Sequence, residues 1–220
     1  VRDESWLSTL PFHIQLFKAL GFKMPKYCHT AQVLKLDNGN KRKISKRKDP
    51  EAALTFYHAQ GYPVAAVREY LMTLLNSNFE EWRIANPDAP IEDFKFTTKK
   101  MAISGSLFDL DKLNDISKNV ISRLTADEVY DFALAWAKEN DADFAQMLES
   151  DRGYAVRILS IGRGGKKPRK DIALWSEVKN YVSFFYDNLF EAVDAIPDNF
   201  SREDVSSVLA QFADSYDEVV

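Results

Sequence analysis

The sequence holds one cysteine, Cys28, in 220 residues. A single thiol closes no intrachain disulfide, so the fold has to rest on a packed core, and a reducing, cytoplasmic setting is the simplest expectation. No apolar run approaches the ~20 residues that a membrane-spanning helix needs. Histidine is scarce: only His13, His29 and His58 occur, and no metal site is expected. His13 falls within a predicted helix and reads as a packed or surface histidine rather than a catalytic one. The glycine-rich turn of a Walker A motif is missing, as is a dinucleotide fingerprint. So are the alternating strand and helix units of a Rossmann sheet.

What is present is ordinary in bulk, with 45% hydrophobic and 28% charged residues. That composition suits one large soluble domain or two small ones. The net charge of −4 conceals an asymmetry. Residues 1–50 carry eleven Lys/Arg against four Asp/Glu, whereas residues 101–220 carry thirteen against twenty-two. A basic front on an acidic chain suggests a local anionic partner.

The basic charge is concentrated between Lys41 and Asp49, in KRKISKRKD, where six of nine residues are cationic. Before it, Gln32-Val33-Leu34-Lys35-Leu36 has strand character. Asp37-Asn38-Gly39-Asn40 supplies residues that tolerate positive φ. A hairpin is predicted, with Lys41 to Ile44 as its return arm. After the run, Asp49-Pro50-Glu51 reads as a helix start, with Asp49 as cap and the helix ending at Gly61. A basic loop between a hairpin and a helix suits a polyphosphate, because transfer chemistry at phosphorus needs charge stabilisation and positioning above all. By composition alone, a nucleic-acid patch is the commoner meaning of such a run.

Elsewhere the pattern is helical. Ser8 to Pro11 opens a helix carrying Phe12, Leu16, Phe17 and Leu20. Pro63 opens another with Val64, Val67, Tyr70, Leu71, Leu74 and Leu75 on one face. A short helix and a loop are expected between Asn76 and Pro90. Ile103-Ser104-Gly105-Ser106 is the best candidate boundary. Beyond it, helices are expected at about 110–123, 126–139, 141–149, 152–161, 171–193 and 202–216. Thr125 to Glu128 fits a capping box, and Ser201 to Asp204 fits it more loosely. Leu134, Trp136, Trp175, Tyr181, Phe184, Phe185 and Phe190 read as core. A second basic run, Arg163 to Lys170, forms a Gly- and Pro-containing loop. Its Arg163, Lys166, Lys167, Arg169 and Lys170 suit phosphate contacts, and a solvated loop fits equally well.

The residue order of Lys43-Ile44-Ser45-Lys46-Arg47 resembles the KMSKS signature of class I aminoacyl-tRNA synthetases. Its neighbours narrow the resemblance to bacterial-type glutamyl-tRNA synthetases. Arg2 to Thr9 resembles the segment preceding the signature in that family. Tyr27-Cys28-His29-Thr30 resembles the intervening strand. Phe108-Asp109-Leu110-Asp111-Lys112-Leu113 resembles the start of the helical anticodon-binding part. The resemblance covers at least residues 1–125 in order and spacing; beyond that it rests on helical character and the 163–170 run.

The resemblance implies a mainly α fold. Residues 1–103 would be a small α+β hairpin-and-helix part, the end of the catalytic domain with its stem-contact region. Residues 104–220 would be an all-helical anticodon-binding domain, shortened at its end. It implies activation of glutamate with ATP, a substrate taken up with Mg, and transfer to the terminal adenosine of the tRNA for glutamate. A monomer with no membrane partner is expected. Lys46 would lie near the ATP phosphates, with Lys43 and Ser45 matching the signature's first lysine and its serine as catalytic residues. Arg2 matches an arginine that contacts the substrate glutamate. Trp6 matches a tryptophan of the same pocket, counted with Lys43 and Lys46 towards ATP. Asp3 and Ser5 depart from the family, which more often has a small residue and Glu there.

The HIGH motif of the family's nucleotide-binding half is not in this sequence. The chain therefore reads as a middle-to-C-terminal piece, inactive alone, in which Lys43, Ser45 and Lys46 face solvent. A non-catalytic RNA-binding module on the same fold is the alternative. A glutaminyl enzyme would carry β-barrel anticodon domains, which the helical periodicity after residue 105 disfavours. The shorter glutamyl-queuosine-type relatives lack an anticodon domain, so the helical tail disfavours them too.

Overall fold

Two short extended pieces, β1 (Arg2–Asp3) and β2 (His29–Thr30), pair in parallel. Between them lie a 3-10 turn, Glu4–Thr9, and helix α1 (Leu10–Ala19). Pro11 sits in the first turn of α1, where its missing N–H is no loss. Phe12, Leu16 and Leu20, the predicted apolar stripe, are exposed in this chain. The computed structural model describes residues 1–191 and 199–215.

The predicted hairpin forms as β3 (Val33–Asp37) and β4 (Asn40–Lys43), antiparallel with Asp37 opposite Asn40. Asn38 and Gly39 both have positive φ, 49° and 81°. That is the backbone a tight two-residue turn between twisted strands requires. The return arm extends one residue further, because the Ile44 N–H donates to the Val33 carbonyl.

The expected helix from Asp49 to Gln60 is broken in two. Pro50–Ala52 forms a 3-10 turn, Ala53 is extended, and α2 (Leu54–Gln60) follows. Asp49 makes no side-chain cap. It is engaged elsewhere, as described below. Helices α3 (Val64–Leu75) and α4 (Phe79–Ala85) come next. The segment read as a flexible boundary then enters the sheet. Strand β5 (Ser106–Leu107) pairs in parallel with Val33 and Leu34 of β3.

Helices α5 (Leu110–Arg123), α6 (Ala126–Asn140), α7 (Ala142–Ser150) and α8 (Arg152–Ser160) match the predicted periodicity within a residue or so. Asp109, Thr125, Asp141 and Asp151 each accept a backbone N–H at the start of one of them, satisfying donors that a helix end leaves unpaired. Thr125 and Glu128 form a reciprocal capping box.

The single helix expected over 171–193 is not found. Residues 171–174 carry no helix; they are followed by a 3-10 turn (Trp175–Glu177), a short α9 (Val178–Val182) and another 3-10 turn (Ser183–Phe185). The cause is tertiary: the Ala173 carbonyl accepts the Ser117 hydroxyl, and the Trp175 N–H donates to Gly61. These bonds hold the segment open. Residues 192 and 193 of that prediction lie outside the described residues. Trp175 is buried, but Phe184, Phe185 and Phe190 are exposed, with Phe184 edge-on to both of the others, so half of the predicted aromatic core lies on the surface.

One core cluster joins hairpin and helices. Tyr62, Tyr70, Phe108 and Leu113 are buried, with Val33, Ile44, Phe56, Tyr57, Val67 and Leu74 packed against them. A second set within the first unit comprises Val129, Ala133, Phe144, Leu148 and Leu159 from α6, α7 and α8, each at most 1% exposed. The chain divides into two compact units after Val182. In the unit from Ser183 onward, α10 (Arg202–Ser215) begins at Ser201 and Asp204, which exchange side-chain bonds in the pattern of a capping box. Residue 216 of the predicted last helix lies outside the described residues. Among the described residues, no helix is long and apolar enough to cross a membrane.

Candidate functional site

The KISKR run leaves β4 and turns over Lys46–Lys48 before the 3-10 turn at Pro50. The base of this turn is built by residues for which the sequence indicates no site role. Arg42 donates twice to Asp49, Nη1 to Oδ2 at 2.7 Å and Nη2 to Oδ1 at 2.8 Å. Arg42 Nε also donates to Asp37 at 2.7 Å. Asp49 is only 2% exposed and accepts the Ser45 backbone N–H at 2.8 Å as well. Lys35 lies 3.6 Å from Asp49 and donates to Glu51. The Arg42 guanidinium holds the Asp49 carboxyl far below the usual carboxylate range, and Asp49 raises Arg42 in return. Asp49 is thus ionised, and burial of the pair is offset by near-complete hydrogen bonding.

On that base the three signature residues have different surroundings. Lys46 is exposed at the tip of the turn. Ser45 is partly buried, and its hydroxyl accepts the Arg47 N–H at 3.4 Å. Lys43 is only half in solvent, because its Nζ bonds Asp3 at 2.9 Å and lies 3.5 Å from the Ser5 hydroxyl. Asp3 is held below its usual pKa, first by Lys43 and then by the Ser5 side chain. Of the three residues expected to face solvent, Lys43 and Lys46 are exposed and Ser45 is partly buried; Lys43 is in addition ion-paired to the start of the chain.

That tie brings the loop beside the residues assigned to glutamate. Arg2 lies 5.6 Å from the Trp6 ring, a cation–π contact. Both line a cavity of about 250 Å³ together with His13, Phe17, Tyr27 and His29. The pairing of β1 with β2 puts Arg2 opposite His29. The sequence indicates no site role for either histidine: sixteen positions separate them, His13 reads as a packed or surface residue, and His29 counts only as part of the Tyr27–Thr30 strand.

The second basic run is split by the structure. Arg163 is half-buried: Nη1 donates to the carbonyls of Ile121 at 2.6 Å and Leu124 at 3.2 Å, and Nε to Leu159 at 3.1 Å. It closes the C-terminal ends of α5 and α8. Burial pushes its pKa down. Arg169 pairs with Asp171 at 2.5 Å. Lys166, Lys167 and Lys170 are exposed. Lys170 borders a cleft of about 460 Å³ with Arg83, Lys112 and Arg123, and Lys166 borders a neighbouring one with Arg123 and Arg163.

Residues 1–115 match the family model for the catalytic domain of class I tRNA synthetases, E and Q. The chain is 52% identical over 217 residues to the glutamate–tRNA ligase of Acetivibrio thermocellus, covering 99% of this chain and 40% of that protein. It is 43% identical over 220 residues to the Clostridium perfringens ligase, covering 98% and 40%. The chain thus spans about 40% of the length of the curated relatives it matches. A crystal structure of a glutamate tRNA ligase from Elizabethkingia meningosepticum, in complex with its amino acid, superposes with a TM-score of 0.61 at 18% identity. That match covers 98% of this chain and 44% of the other, and it supports the fold.

Proposed function

The chain belongs to the class I tRNA synthetase family for glutamate and glutamine, and on that premise we propose that it is part of a glutamate–tRNA ligase of the cytoplasm. The protein activates glutamate with MgATP to glutamyl-adenylate and then charges the tRNA for glutamate. The observation that carries this reading is the joining of two half-sites: Arg2 and Trp6 line one cavity, and Asp3, next in the chain, bonds the first lysine of the signature loop.

In this reading the Arg2 guanidinium takes the side-chain carboxylate of glutamate. The α-carboxylate attacks the α-phosphorus of ATP, and pyrophosphate leaves. Lys46, exposed on a turn anchored by Asp49, supplies positive charge to the phosphates as negative charge moves to the leaving group. Lys43 adds a second charge and Ser45 a hydroxyl. Residues 1–103 serve as the end of the catalytic domain with its stem-contact region. Residues 104–220 serve as the helical anticodon-binding part. Lys166, Lys167 and Lys170, with Arg169, contact tRNA phosphates, and Arg163 fixes the loop that carries them.

The test is glutamate-dependent exchange of pyrophosphate into ATP by the intact protein containing this chain. Lys46→Ala is expected to abolish most of that exchange while tRNA affinity changes little. Equal loss of exchange and tRNA binding would remove Lys46 from the phosphate site. Full tRNA binding with no exchange by the unsubstituted protein would make it an RNA-binding module instead.

A further inference from the structure

The Lys43 ammonium has one charged partner among the described residues. Asp3, forty positions away, holds it at 2.9 Å, and the Ser5 hydroxyl stands 3.5 Å from the same nitrogen. Asp3 is itself fixed. It accepts the Ser5 N–H at 3.1 Å at the head of the 3-10 turn, and β1 pairs it with Thr30. The carboxylate therefore has little freedom to follow the lysine, whereas the lysine has a long, flexible stem.

We propose that Asp3 is a positioning residue that parks the signature loop's first lysine on the protein until the phosphates of ATP replace the carboxylate as its partner. The inference rests on the reading of the loop as an ATP site. A polyphosphate carries more negative charge than one carboxylate, so nucleotide binding draws the ammonium, with its three donors, away from Asp3 and towards the phosphates. Parking does two things. It keeps the loop ordered and close to the Arg2 cavity when ATP is absent, and it sets a threshold that ATP must overcome. Because Asp3 directly follows Arg2, any shift of β1 when the cavity fills moves the parking carboxylate too. Loop release and amino-acid binding are thereby linked through one residue.

The experiment compares Asp3→Asn, Asp3→Glu and the unsubstituted protein, each as the intact protein containing this chain. Asparagine keeps an oxygen for the Ser5 N–H but removes the charge. Without nucleotide, tryptic cleavage after Lys43, Lys46 and Arg47 should rise about two- to fivefold in Asp3→Asn, the range that corresponds to one exposed ion pair. Saturating MgATP should erase the difference. In the exchange assay the KM for ATP should fall by a similar factor while the KM for glutamate holds, and Asp3→Glu should restore both values. In a Lys43→Met background, Asp3→Asn should have no further effect. Unchanged cleavage, or a KM for ATP that stays constant or rises, would overturn the proposal. If the unsubstituted protein gives no glutamate-dependent exchange, the proposed function itself fails, and the parking role fails with it.

Discussion

Arg42 and Asp49 face each other across the base of the signature turn, joined by two hydrogen bonds of 2.7 and 2.8 Å. The same Asp49 carboxylate accepts the Ser45 N–H, so one buried acid fixes where the strand ends and where the turn begins. Asp49→Asn should therefore loosen the loop without emptying the space. Loop opening, read as tryptic cleavage near Lys46, is expected to rise at least about tenfold, the equivalent of losing one hydrogen bond to a charged group. Circular dichroism of the helices should be unchanged. Unaltered cleavage would show that the turn is held by other contacts.

Arg163 and the nearby lysines should separate cleanly. Arg163→Ala removes a side-chain donor from the carbonyls of Ile121, Leu124 and Leu159, of which Ile121 keeps the Leu124 N–H, and should cost about 1–3 kcal/mol of stability in urea unfolding. Replacing Lys166, Lys167 and Lys170 together by Gln should leave the unfolding midpoint in place. It should instead flatten the dependence of tRNA affinity on salt, by about 0.7–0.9 in the logarithmic slope for each phosphate left without its lysine. The opposite allocation, with stability falling in the lysine triple, would reverse these roles.

Gly61 ends α2 with a φ of 83°, and its carbonyl accepts the Trp175 N–H at 2.8 Å. A Cβ there would lie 3.0 Å from the backbone nitrogens of Trp175 and Ser176. Gly61→Ala combines a left-handed backbone, costing about 1–2 kcal/mol, with a tight contact against main chain. A drop in the unfolding free energy beyond that range is expected. Substitution of Gly39 should cost only the backbone part, because nothing stands within 4 Å of a Cβ added there. Equal losses at the two sites would remove the packing argument.

Burial pushes the phenols of Tyr57 and Tyr70 up to about 12. The folded state thus holds two protons that an unfolded chain releases near pH 10. Stability from these groups is complete below pH 10 and is lost as pH rises towards 12. Absorbance at the tyrosinate band should still be rising as pH approaches 12, where these two ionise. Tyr70→Phe should make the loss of stability between pH 10 and 12 shallower. Simultaneous ionisation of all nine tyrosines at pH 10, with the fold intact, would contradict the buried setting.

At the acid end, Asp3, Asp141 and Glu128 are held below their usual range, by Lys43, by Lys179 and by the Thr125 backbone N–H respectively. Their contribution is present above about pH 4 and disappears as pH falls through the lowered values. The melting temperature should fall below pH 4, and Asp141→Asn should reduce that slope. A slope unchanged by the substitution would show that the Lys179 pair carries no linkage.

Signals confined to a few neighbouring residues were readable in the sequence. Asn38-Gly39 announced a turn because few other residues accept positive φ at both positions. Thr125 and Glu128 announced a helix start because each satisfies the other's backbone. Asp49-Pro50-Glu51 gave an equally strong local signal and misled, because a guanidinium seven residues earlier competes for the carboxylate and wins. The parking of Lys43 joins residues forty apart, and no local rule reaches that far. The 171–193 stretch has helical spacing of aromatics, yet its start is drawn open by bonds to Ser117 and Gly61. Charge placed Arg163 among the phosphate contacts, but charge does not reveal that three carbonyls already surround it.

The parallel pairing of β5 with β3 has a practical consequence for dissecting this protein. A piece ending at residue 103 would leave the backbone groups of Val33 and Leu34 without Ser106 and Leu107, and would uncover the side of the hairpin that they cover. An open strand edge next to apolar side chains is a template for self-association. Cutting within 103–106 would thus yield a sticky hairpin, and a soluble fragment bearing the signature loop has to keep residues 106–113 with it.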